Sequence, residues 1–272
     1  LRMVALSHES VVERIETSLP RSDGFEVYPF RISSYNSVVS SDFILDYPSD
    51  SLAVLIVSTP KMFDVSYKRW IKEEVSKAGS FDSFTEEVSS PISEFIDSRL
   101  DQVQEDLSSI PFDIIHDHSM TPSRKPKILM CTCGHVAGAA YYYRQNDPTL
   151  IETNNGKKWD PKPAATNLKF IGLSLHSQFG GHFAFRSVLI FPDVNLPTSF
   201  KEREPTPVLH SIDEIRDALE KFNYAWRDSQ FRDCGSPKER YSSTQMEYFG
   251  KPPTERWEII RHWTESNEVE SE

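Results

Sequence analysis

Apolar positions mark out the first elements of the chain. Residues 7–19 place Val11, Val12, Ile15 and Leu19 on one side of a helix, and Pro20 to Gly24 ends it, with Ser22, Asp23 and Gly24 as the turn. Phe25 to Phe30 alternates as a strand, and Pro29 within it indicates an edge or a strand end. Ser51 to Val57 is almost wholly apolar, the pattern of a central strand covered on both faces. Thr59 and Pro60 then open a helix as N-cap and first helical residue, with Phe63, Tyr67, Trp70 and Ile71 inside and Gly79 as its stop. Ser90-Pro91 opens another by the same device, with Ile92, Ile96, Leu100, Val103 and Leu107 in register and Pro111 beyond it.

Downstream, Phe112 to His118 reads as a loose strand and Ile128 to Cys131 as a short buried one. Gln145 to Lys169 is long and polar, the profile of a lid-like loop. Phe170 to Leu175 and His182 to Phe191 read as strands joined by a glycine-bearing turn, and residues 192–209 as a Pro-rich connection. Ser211 with Glu214 forms a capping box ahead of Ile212, Ile215, Leu219 and Phe222, and Ser236 with Glu239 has the same spacing. A last helix is expected over Thr254 to Trp263, followed by an acidic, disordered tail, 265–272. Strands and helices mix without a regular repeat. This predicts an α+β domain, a mostly antiparallel sheet flanked by helices, spanning residues 1–264.

Composition narrows the function. The chain has 272 residues and a net charge of −11, so a basic nucleic-acid face is disfavoured and any anionic ligand needs local arginines. No apolar run approaches the roughly 20 residues of a membrane span. Leu1-Arg2-Met3-Val4 lacks the pattern of a secretory signal. Three cysteines, an odd and sparse count, point to a reducing, cytoplasmic setting. Cys131-Thr132-Cys133 lacks zinc-site spacing. In His116-Asp117-His118 strand alternation puts the two histidines on one face and the aspartate on the other, which favours ordinary polar placement over metal binding.

Dinucleotide, triphosphate, serine-hydrolase and zinc-protease motifs do not occur. Cys133 lies two residues before His135, poor geometry for a Cys–His nucleophile. Two features stand out. Residues 126–144 run from an apolar segment through His135-Val136-Ala137-Gly138 to three tyrosines; small residues beside aromatics suit either a tight packing join or the approach of a large flat ligand. Arg186 sits inside an apolar strand, where an isolated charge is expensive. Together with Arg232 and Arg256 it could form internal salt bridges, with Asp228 and Asp233 as candidates, or converge on a ligand bearing several carboxylates or phosphates.

Several segments resemble one family. They are Gly24 to Phe30, Val57-Ser58-Thr59-Pro60 with Met62-Phe63-Asp64, Arg124 to Tyr143, Phe179-Gly180-Gly181 with Phe183-Ala184 and Arg186, Trp226-Arg227-Asp228, and Glu239 to Ser242. Over roughly residues 24–260 the chain resembles the cobalamin-processing chaperones of the cblC type, the methylmalonic aciduria and homocystinuria type C family. The resemblance implies a fold similar to flavin-dependent nitroreductases. It implies a cytoplasmic enzyme-chaperone that binds cobalamin base-off, removes cyanide with electrons from reduced flavin (FMN or FAD), and removes alkyl groups by attack of glutathione thiolate. A non-catalytic cobalamin carrier and a nitroreductase-like oxidoreductase are the alternatives. A cblD-type trafficking partner, and a monomer or a ligand-induced homodimer, are also implied.

By resemblance, Asp117, Ile128, Leu129, Met130, Cys131, His135, Gly138, Tyr142, Tyr143, Arg144, Ser174 and Phe185 line the cobalamin site. Arg186, Arg232 and Arg256 match the glutathione-binding arginines. The small residues at Gly138 and Ala139 would let the corrin approach, and no catalytic side chain is assigned. His135 and Gly138 fit the Asp-x-His-x-x-Gly signature of enzymes whose histidine ligates cobalt, but Cys133 stands where the aspartate would be. His135 is therefore expected to shape the pocket, and cobalt to be carried by cobalamin, with no metal held by protein side chains. Met130, Cys131, Arg144, Ser174, Gln178 and His182 differ from the residue types of vertebrate members. Thiols at Cys131 and Cys133 near cobalt suggest aerobic oxidation of glutathione as a side reaction.

Overall fold

A computed structural model describes residues 7–145 and 170–265. The chain runs α1 (His8–Ser18), β1 (Phe25–Arg31), α2 (Ile32–Asn36), β2 (Ser51–Ser58), α3 (Lys68–Ala78), α4 (Phe81–Glu87), α5 (Pro91–Asp106), β3 (Asp113–His116), α6 (Met130–Val136), β4 (Tyr141–Tyr143), β5 (Leu173–Leu175), β6 (Ala184–Asn195), α7 (Ile212–Tyr224), α8 (Ser243–Gly250) and α9 (Trp257–Glu265). The main sheet has the order β1-β2-β6-β3, with every pair antiparallel, and β4-β5 forms a separate ribbon. The expected α+β class and antiparallel sheet are found.

β2 is buried along its whole length because both faces of the sheet are covered. Leu52, Val54 and Ile56 face a core built with α1, α3, α5, α8 and α9. Ala53, Leu55 and Val57 face a second core built with α2 and α6. The period of two along the strand divides one apolar run between two cores. Pro29 lies in β1, at the sheet edge, where a missing N–H is tolerated. A third core joins the β4-β5 ribbon to α7.

Four local expectations are corrected. Ile128 to Cys131 is no strand: α6 begins at Met130, with Leu129 as its N-cap. A contiguous apolar run carries no period, so it cannot separate a strand from a short buried helix. Ser236 caps nothing; it has φ 54° directly after Gly235 at φ 79°, a left-handed turn, and the next helix starts at Ser243 with Ser242 as its cap. α4 and α8, and β4 within the three tyrosines, were not expected from the pattern. The helix opened by Pro60 passes through a wide π turn, Met62–Tyr67, before α3. The 145–169 loop and the 265–272 tail lie outside the described residues except for Gln145 and Glu265, the latter closing α9.

Candidate functional site

Helix α6 forms one wall. Its start is anchored where the Leu129 N–H donates to Tyr35 Oη at 2.9 Å, and burial pushes the Tyr35 phenol up to about 12. Gly134 lets α6 lie directly on Phe185, since a Cβ there would sit 2.3 Å from that ring. Met130 and Phe185 pack at the border of the second core. Next along α6, the Cys131 thiol lies beside Ser174, and burial raises its pKa. Ser174 pairs with Tyr142 across the ribbon. Its buried Oγ has the weakly bonding Cys131 thiol beside it and no ordinary hydrogen bond among the described residues, so a ligand that supplied one would be favoured. The Arg144 guanidinium lies over the Tyr142 ring at 5.5 Å.

His135 sits between ribbon and helix. Its Nδ1 accepts from the Tyr142 N–H at 3.2 Å, and its ring packs edge-on against Tyr141 at 4.9 Å. In the neutral ring an accepting Nδ1 leaves the proton on Nε2. The predicted residues Met130, Cys131, His135, Tyr142, Arg144, Ser174 and Phe185 are thus brought to one face.

Ile128, Gly138 and Tyr143 lie behind that face. Ile128 is buried in the second core and Tyr143 in the third. Tyr143 Oη accepts from the Val208 and Leu209 N–H groups, pinning the Pro-rich connection. Gly138 has φ 72°, and a Cβ there would sit 2.1 Å from the Arg203 carbonyl oxygen. The space that the small residue leaves is filled by the protein's own backbone and not open to a corrin.

The arginines gather one strand position away. Opposite β2, Val57 pairs with Phe185 but Ile56 pairs with Ser187, so Arg186 is the extra residue of a β-bulge. Bulges re-aim side chains, and this one explains how a charge sits inside an apolar strand. Arg186 Nε donates to Ser58 Oγ at 2.7 Å, and the Asp117 N–H donates to the Arg186 carbonyl at 2.9 Å. Burial pulls the Arg186 pKa down, against opposing pulls from Tyr241 and Asp117. Among the described residues Arg186, Arg232 and Arg256 are in no ion pair. Asp233 is taken by Arg240 and His182, and Asp228 accepts from the Gln230 N–H, which removes the proposed internal partners.

The three side chains surround an aromatic patch. Arg232 lies over Tyr241 at 5.2 Å, Tyr241 contacts Phe249 at 5.8 Å, and Arg256 lies over Tyr248 at 5.3 Å and Phe249 at 5.9 Å. The clefts lined by Arg186 and by Arg256 share Ile92 and Ser93 at the start of α5. Arg232 also lines a larger cavity of about 540 Å³ with Phe222, Trp226, Arg227, Phe231 and Phe249. Sequence reading missed Ser58, Tyr241 and Phe249, because a residue supporting an arginine from a distant segment leaves no local pattern. Among the described residues no group of three or more His, Cys, Asp or Glu side chains is placed to hold a metal ion, and no helix is long and apolar enough to cross a membrane.

A face with an orphaned hydroxyl beside a cluster of unmatched arginines defines an α+β ligand-binding protein. The chain belongs to the methylmalonic aciduria and homocystinuria type C family, whose model matches residues 24–260. It is 52% identical over 266 residues to an "MMACHC-like protein" of Caenorhabditis elegans, covering 96% of each chain. It is 35% identical over 237 residues to the human "Cyanocobalamin reductase / alkylcobalamin dealkylase", covering 87% of this chain and 76% of the relative. The solved structure of a C. elegans B12-trafficking protein CblC, a human MMACHC homologue, superposes with a TM-score of 0.86 at 50% identity, covering 95% of this chain and 97% of that one.

Proposed function

We propose that this protein processes cobalamin within one domain over residues 1–264. It binds cobalamin base-off on the face of α6 and the β4-β5 ribbon and removes its upper axial ligand. The face fits such a ligand: Ser174 Oγ is a buried polar atom with only the weak Cys131 thiol beside it, and the Tyr142 ring lies under the Arg144 guanidinium. Leu129, Met130, Cys131, Tyr142, Arg144, Ser174 and Phe185 contact the ligand, with Asp117 at the cleft beside it, and Ile128, Gly138 and Tyr143 hold those residues in place from behind. His135 shapes the pocket; with its Nδ1 accepting from Tyr142, Nε2 carries a proton and no lone pair for cobalt.

The observation that carries the reading is Arg186, a desolvated guanidinium turned out by a bulge, with only a hydroxyl on its Nε. Such a charge calls for an anion from outside. Glutathione has two carboxylates, and Arg186, Arg232 and Arg256, in no ion pair among the described residues, would take them. Its thiolate then removes the alkyl group, a displacement that gains from holding sulfur and carbon in line. Decyanation is reductive, with electrons from reduced flavin, FMN or FAD. The 540 Å³ cavity, walled by Phe222, Trp226, Phe231 and Phe249 with Arg227 and Arg232, suits a planar anionic molecule of that kind. A nitroreductase-like fold, a cytoplasmic location, a cblD-type partner and a monomer that dimerises on ligand binding complete the reading.

One absorbance experiment tests it. Methylcobalamin mixed with the protein is expected to shift to the base-off spectrum, and added glutathione to produce cob(I)alamin and the thioether. No spectral change on mixing refutes the cobalamin reading. A base-off shift without dealkylation supports the carrier reading, which the likeness to a B12-trafficking protein favours.

A further inference from the structure

The cleft beside Arg186 contains a second kind of chemistry. Its volume is about 180 Å³, and Asp97, His116, Asp117 and His118 line it together with Arg186. The same bulge that turns Arg186 outward sets Ser187 opposite His116 in the β3–β6 register. The His116 Nδ1 lies 3.4 Å from Ser187 Oγ and 3.6 Å from Asp97 Oδ1. Its backbone N–H donates to Ser119 Oγ at 3.0 Å. Ser187 Oγ can accept from Nδ1, and the Asp97 carboxylate, an ion-pair contact just beyond hydrogen-bond distance, favours the tautomer with the proton on Nδ1, in which the Nε2 lone pair is free. Nε2 makes no protein hydrogen bond among the described residues. The His118 ring stacks on His116 at 5.2 Å, itself held by Asp117 at 3.1 Å. His116 is 26% exposed and His118 64%, so His116 is the shielded member of the pair.

A carboxylate behind one imidazole nitrogen, with the other open to a cleft, is the arrangement of a general base. The nucleophile needs one. An ordinary thiol has a pKa near 8.5, so only about 3% is thiolate at pH 7. We propose that His116 is the general base of dealkylation, an inference that rests on the glutathione reading above. His116 Nε2 takes the S–H proton as the sulfur lone pair forms the C–S bond. The Co–C bond breaks and its electron pair stays on cobalt, which passes from Co(III) to Co(I). The imidazolium returns its proton to water after the thioether leaves. The charged and polar groups facing His116 are Asp97 from α5, Asp117 and His118 from the turn after β3, and Arg186 and Ser187 from β6.

The test is the pH profile of glutathione-dependent methylcobalamin dealkylation for the wild type, H116Q and D97N, each first checked for the base-off spectrum. H116Q is expected to be slower by on the order of a hundredfold at pH 7 with little change in the glutathione KM. The deficit should shrink just under tenfold between pH 7 and 8 and about 25-fold in all by pH 9, as the free thiol ionises. D97N, which leaves His116 in place, is expected to show a smaller deficit of the same pH-dependent form, and it carries the test if H116Q fails to fold. A deficit equal at pH 7 and pH 9, or no deficit in either variant, overturns the assignment. A wild type that binds no cobalamin or performs no dealkylation fails the underlying reading instead.

Discussion

Gly138→Ala separates a structural glycine from a ligand-approach glycine. Two terms act. The residue has φ 72°, and an L side chain in left-handed backbone costs about 1–2 kcal/mol. The new Cβ would also lie 2.1 Å from the Arg203 carbonyl oxygen and 2.6 Å from its carbon. Backbone has no rotamer with which to retreat, so the connection around Arg203 must move, an overpacking penalty of about 1–3 kcal/mol. Together the loss is about 2–5 kcal/mol, or roughly 4–20 °C in Tm at about 2–4 °C per kcal/mol for a chain of this size. Gly79→Ala is the control: its φ is 82°, but nothing lies within 4 Å of the added carbon. Only the backbone term of about 1–2 kcal/mol remains there. Paired thermal melts by circular dichroism should place Gly138→Ala lower by about 1–3 kcal/mol, while its folded fraction still gives the base-off spectrum. Equal losses in the two variants would refute the Arg203 contact as the reason for the glycine.

Three further outcomes follow from the same reasoning. Tyr143→Phe leaves the Val208 and Leu209 N–H groups without their acceptor; at about 1–3 kcal/mol per stranded donor, chemical denaturation should show a loss of roughly 2–6 kcal/mol, and a loss under about 0.5 kcal/mol would contradict it. Arg186→Gln removes an unpaired, desolvated charge, so its Tm should hold or rise while the glutathione KM increases at least about tenfold; unchanged kinetics would take Arg186 out of that role. Burial pushes the Glu26 carboxyl up, but hydrogen bonds from His176 and Tyr28 outweigh it and hold the pKa below the ordinary value. A depressed folded pKa gives stability that is present above the unfolded value of about 4.3 and lost as pH falls through the folded one. Glu26→Gln should therefore flatten the acid limb of a stability-versus-pH curve, and an unaltered limb would show that other carboxyls set it.

How much the sequence disclosed depended on whether the determining contacts were local. The Ser211–Glu214 capping box forms as its spacing predicts, because both partners lie within one helical turn. β2 was legible because an unbroken apolar run demands cover on both faces. α6 was misread because Ile128 to Cys131 has no period to read, and the constraints that make it helical, the Tyr35 hydroxyl and the Phe185 ring, come from distant segments. The charge of Arg186 in an apolar strand was visible, and so was the need for a partner. That its partner would be Ser58, and that Asp233 would be taken by Arg240 and His182, depended on tertiary placement. For His116 and His118 the pattern favours ordinary polar placement over metal binding; the strand ends at His116, so the two rings stack across a turn and not along a strand face, and the Asp97 carboxylate beside His116 comes from another helix.

The bulge at Arg186 has a consequence for the length of β6. Phe185, Val188 and Ile190 all face the second core, although residues 185 and 188 of a regular strand would point to opposite sides. Arg186 absorbs the odd step. Substitution at this position alters one charge and leaves the phase of the strand alone. Deleting the residue would restore perfect alternation, with Phe185 two places from Val188 and still on the second-core face against Gly134, and would remove only the outward-turned guanidinium. The strand therefore keeps its packing phase with or without this residue, and what the extra residue adds is a single charged side chain seated between the Phe185 ring and the cleft that Arg186 lines.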